Sequence, residues 1–179
     1  PEDAESELLC ADLHCQMGQP EKAREIYRKH LHETNQDPMI VRAMATCCHQ
    51  LGEFESALRW FQWLSQQTSV TAADWHGLGS CYLNLRLLNQ ALNSYRQAYQ
   101  LARNNAAILH DLSIVLYHLQ SHAQARFYAQ KALALGGDQA SVLLTLALLD
   151  HSSHRYSDAE QQLQQLTHQP ITKHEAILN

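Results

Sequence analysis

Twelve histidines and five cysteines are the side chains of this 179-residue chain with most capacity for metal binding or acid–base work. Cys10 with His14 and His118 with His122 stand four residues apart, which puts both members of each pair on one helical face, and Cys47, Cys48 and His49 run together. A structural zinc site needs four converging ligands, and neither CxxC nor HExxH occurs. No metal and no cofactor is assigned, and a His/Cys-rich metal-binding helical array is the alternative reading. There is no glycine-rich phosphate loop, no GxSxG elbow and no carboxylate pair suited to one concavity, so the chain reads as a non-enzyme.

The elements that must position these side chains follow from a strict period. Ala23, Ala57, Ala91, Ala125 and Ala159 are spaced 34 residues apart. In the same register Cys10, Met44, Leu78, Leu112 and Leu146 form a mostly large column beside the small column Ala11, Ala45, Gly79, Ser113 and Ala147. Large beside small lets a second helix approach closely, and the alanine column gives that second helix a small surface. The column of Tyr27, Phe61, Tyr95, Ala129 and Leu163 lies four residues after the alanines, on the same helical face, and fills the space between repeats. The pattern predicts helices near 4–16, 20–33, 38–51, 54–67, 72–85, 88–101, 106–119, 122–135, 140–152 and 156–168. Asp37 before Pro38 reads as an N-cap with proline at the first helical position, and Thr71 with Asp74 as a capping box.

Trp75, Leu78, Gly79, Tyr82, Ala91, Tyr95 and Ala98 together resemble the tetratricopeptide repeat, and the period extends the resemblance over nearly the whole chain. It implies an all-α, right-handed α-solenoid of about five helix-turn-helix repeats, near 4–37, 38–71, 72–105, 106–139 and 140–173, in one domain over 1–179. Ile177 falls in the register of Trp75, so the chain reads as an excerpt of a longer one. The central repeats also resemble bacterial type III secretion chaperones that hold translocator proteins. The function expected is a protein-interaction scaffold that holds a peptide or helical segment of a partner in its concave groove, as a chaperone or assembly factor in secretion or pilus biogenesis.

In the resembled family the first helix of each repeat lines the inner groove. There Arg42, His76 and His110 share one column, His49 and Tyr117 occupy another, and His118 follows. These are the expected partner-binding residues, with Arg42 the fixed charge and the histidines able to gain charge below neutral pH. Trp63 shares its column with Lys29, Gln97, Lys131 and Gln165, so its ring is expected to project outward and to anchor a partner or a second copy. The lysine clamp by which some family members grip carboxylates does not carry over, because Lys22, Lys29, Lys131 and Lys173 lie off the inner helices.

Thirteen basic against eighteen acidic residues leave a formal charge of -5, which argues against nucleic acid as a partner. No apolar run approaches the roughly 18 to 20 residues of a membrane span. Cys10 and Cys48 fall in core columns. Cys47 and Cys81 share a column in adjacent repeats, too far apart for a disulfide, so free thiols and a cytoplasmic setting are expected.

Overall fold

The computed structural model describes residues 2–31 and 37–167, and Lys173 and Ile177 lie outside them. It is built from helices α1 (Glu2–Gln16), α2 (Pro20–His30), α3 (Pro38–Gln50), α4 (Phe54–Ser65), α5 (Ala72–Asn84), α6 (Leu88–Leu101), α7 (Ala106–His118), α8 (His122–Ala134), α9 (Gln139–Ser152) and α10 (Tyr156–Thr167). Two compact units divide them, α1–α6 within residues 1–103 and α7–α10 within residues 104–179. In each unit consecutive helices pair antiparallel across a short turn, and each pair packs on the next: α3 on α2, α5 on α3 and α4, and α9 on α7 and α8.

Local chemistry sets the helix starts. Asp37 accepts a hydrogen bond from the Met39 N–H at 2.8 Å with Pro38 at the first helical position, and Asn105 accepts from Ala107 N and Ile108 N. At α5 the Thr71 hydroxyl accepts from Asp74 N while the Asp74 carboxylate accepts from Thr71 N, which closes the capping box. The turn inside each repeat bends through a left-handed residue at one fixed register: Gly18, Gly52, Arg86, Gln120 and His154, with φ between 58° and 75°.

The core follows the columns. Ala23, Ala57, Ala91 and Ala125 are wholly buried and Ala159 nearly so. A Cβ on Gly79 would lie 2.7 Å from the ring of fully buried Tyr95, so the smallest residue of one column makes room for a large one of another. Burying such a ring contributes roughly 2 to 3 kcal/mol. Cys48 is buried as expected, but Cys10 is exposed: no described helix precedes α1 to cover it.

Candidate functional site

Arg42, His49 and His76, three of the residues singled out above, meet in one concavity of about 340 Å³ between α3 and α5. Thr46 and Ser80 complete its polar wall, and Phe61 lies beneath Gly77, the glycine that leaves room for its ring. His49 Nε2 shares a hydrogen bond with Ser80 Oγ at 2.7 Å and its ring meets the Phe54 ring edge-on. The His76 ring lies 5.5 Å from that of Tyr95.

Arg42 has a second task. Its Nε and Nη2 donate to the two oxygens of Asp74, at 2.6 and 2.8 Å, and Asp74 is fully buried. Burial alone pushes that carboxyl up, but the Arg42 hydrogen bonds, the Thr71 N–H and hydroxyl, and the guanidinium charge outweigh it and hold it below the ordinary carboxylate range. Arg42 thus ties α3 to α5 while a quarter of its side chain remains exposed in the cavity.

The other predicted residues lie elsewhere. His110 reaches Thr145 at 3.0 Å, joining α7 to α9; because the Thr145 hydroxyl already donates to the Ser141 carbonyl, His110 Nε2 is the donor. Tyr117 packs near His118 and His122, and His122 is bonded to Gln120 and Ser152. Leu144, which continues the His110 column, and Leu148 on the next turn are both exposed, so this unit presents an apolar face on α9. Trp63 does not project freely outward: it is half-buried beside Trp60, because α2 of the preceding repeat stands next to it and makes a cleft. Leu87, at the N-cap of α6, remains exposed.

The metal candidates diverge. Cys47 faces Cys15, with sulfurs 3.2 Å apart, while His49 turns to Ser80 and His14 donates to Gln19. Among the described residues no three His, Cys, Asp or Glu side chains are gathered to hold an ion. All five cysteines are free thiols. Burial pushes the Cys47 thiol well above its ordinary value, and the bond to Cys15 adds to that. The Cys15–Cys47 pair was invisible to the column argument because its members stand 32 residues apart, off the period.

Paired helices, a 34-residue register and an inner-face concavity define an α-helical repeat protein of the kind that serves as a protein-interaction scaffold. Residues 1–64 match the family described as anaphase-promoting complex, cyclosome, subunit 3, and residues 75–105 match the tetratricopeptide repeat. The chain has the tetratricopeptide-repeat fold. Over 76 residues it is 40% identical to formate-dependent nitrite reductase complex subunit NrfG of Escherichia coli O157:H7, covering 41% of this chain and 38% of that relative's length. MamA from Desulfovibrio magneticus RS-1 shares the fold with a TM-score of 0.82 at 15% identity, over 93% of this chain and 94% of that one. Pseudomonas aeruginosa pilF does so with 0.78 at 22% identity, over 91% and 74%. Among the described residues no helix is long and apolar enough to cross a membrane.

Proposed function

We propose that the protein binds an extended or helical segment of a partner on the inner face of its repeats, as a chaperone or assembly factor in bacterial secretion or pilus biogenesis. The observation that carries this reading is the cavity between α3 and α5, where Arg42, His49 and His76 form a polar wall around the Phe61 ring. A polar rim over an apolar floor suits a peptide whose backbone or side-chain acceptors meet the histidines. His110, Tyr117 and His118, with the exposed Leu144, are the corresponding inner-helix groups proposed for the second unit, and Trp63 a contact outside the inner face. The relative's name, a subunit of a reductase complex, supports a role in holding a multi-protein assembly.

Capture of the partner from the source organism with the intact chain, repeated with His49→Ala/His76→Ala, tests this. The partner should be lost from the double variant while helicity is unchanged. Retention of the partner at full yield would move the reading surface off the inner face.

A further inference from the structure

The repeat carries, besides the inner face, a groove between its second helices, and the 34-residue register lets three copies be compared. Between α2 and α4, over α3, the groove holds about 880 Å³; between α4 and α6, over α5, its equivalent holds about 490 Å³. In the second unit the groove between α8 and α10, over α9, holds about 430 Å³. At the position of Cys48 the other two carry Tyr82, hydrogen-bonded by Gln62 at 2.9 Å, and buried Asp150. The small thiol therefore leaves open the floor that a ring or an ion-paired carboxylate fills elsewhere.

The walls change as well. Arg28 is replaced by Gln62 and Gln130 at the equivalent positions, Arg59 by Asn93 and Gln161, and Trp60 by Ser94 and Gln162. Of three arginines in the first groove, Arg24 is paired with Glu53. Among the described residues Arg28 has no ion pair, and Arg59 donates only at 3.5 Å to Ser56. Trp60 and Trp63 lie half-buried between these guanidinium groups and the Met44 floor. In a chain of net charge -5, this collects cationic forks and broad apolar rings at positions where the sister grooves carry amides and serine, while the arginines of the third groove, Arg126 and Arg155, are held by Asp150. Arginine forks match carboxylates, and aromatic rings in a cleft of this volume seat one or two apolar side chains.

We propose that the groove between α2 and α4 is a second docking site, which takes an acidic segment of a partner protein, its carboxylates on Arg28 and Arg59 and a neighbouring apolar side chain on Trp60 and Trp63. It shares no residue with the inner-face cavity, so the two sites stand or fall separately.

The test uses the full chain and a labelled synthetic peptide with an Asp-Leu-Glu-Phe core in Gly-Ser flanks, beside its Asn-Leu-Gln-Phe amide analogue. Binding is read by anisotropy and by tryptophan fluorescence. The variant Arg28→Gln/Arg59→Asn installs the side chains the second groove already carries at exposed positions, and circular dichroism checks its fold. The wild type should bind the acidic peptide saturably, with the amide analogue and the variant each weaker by roughly tenfold or more. His49→Ala/His76→Ala should leave that affinity unchanged. Trp63→Gln, the residue at the equivalent position of the other two grooves, gives an independent reading and should also weaken binding. Equal affinity of wild type and variants would overturn the proposal, as would no saturable peptide binding. So would capture of phosphatidylglycerol vesicles or single-stranded RNA by a wild type that ignores the peptide.

Discussion

Asp74 in the first unit and Asp150 in the second are both carboxylates sealed from water, and they are held in opposite ways. Asp74 sits in the first turn of α5 and is gripped by one arginine, Arg42, in a two-bond fork, with Thr71 supplying the remaining donors. Asp150 sits in the last turn of α9, where Oδ1 lies 2.5 Å from Arg126 and 3.0 Å from Arg155, and Oδ2 accepts from Gln162 at 2.8 Å. Neither arginine makes a well-aligned hydrogen bond to Oδ1, so the hold is that of a charge cluster. In both places an arginine of the preceding repeat fastens the carboxylate of the next, but only at Asp150 is a second cation at hand. A repeat junction can thus be locked by one well-aligned partner or by two redundant ones.

The largest effect expected from this contrast is that of Arg42→Ala. It leaves the Asp74 charge buried without a cation and should cost about 3 to 5 kcal/mol in denaturant unfolding. Arg42→Lys should recover only part of that, because an ammonium cannot reproduce the fork. A loss under about 1 kcal/mol would mean that Thr71 suffices and that Arg42 is free for a ligand.

Arg126→Ala should cost less, about 1 to 2 kcal/mol, because Arg155 and Gln162 stay on Asp150. Equal losses for the two alanine variants would break the redundancy argument.

The smallest effect is that of pH. Because the folded Asp74 carboxyl is held below its ordinary value, its contribution is fully present above about pH 4 to 5 and is lost as pH falls through the lower, folded-state value. Unfolding free energy should therefore drop between pH 5 and acid conditions, by less in Asp74→Asn than in the wild type. Identical acid profiles would show that Asp74 is not the group responsible.

The contrast also marks what could be read from the sequence. Asp74 was legible as a capping residue because Thr71 lies three positions away, within one turn. Its second role was not, since Arg42 is 32 residues distant and the pairing depends on how α3 faces α5. Asp150 carries no such local signal, since Arg126 stands on α8 and the pairing depends on how α8 faces α9. The helices were legible because period and caps act locally: most ends lie within two residues of expectation, although α2 stops at His30. Arg42, His49 and His76 share a cavity as their columns suggested, because α3 and α5 are neighbours in one unit. Trp63 was legible only in part. Its column predicts which way the ring leaves α4, but not that α2 would stand beside it with Arg24 and Arg28. The groove between α2 and α4 arises from substitutions at several columns at once, of which Cys48 in place of a tyrosine is the most consequential.

The left-handed turn has a consequence for how such a chain can diversify. Gly18 and Gly52 take the conformation without steric cost, whereas Arg86, Gln120 and His154 take it at about 1 to 2 kcal/mol each. That three side chains accept the cost shows that the bend is imposed by the helices it joins and does not depend on glycine. The position faces solvent in all five repeats and enters no core column, so substitution there is released from the packing constraints that fix its neighbours. Over evolutionary time it is a place where the chain can exchange a cation, an amide or an imidazole on its rim and keep every repeat in register.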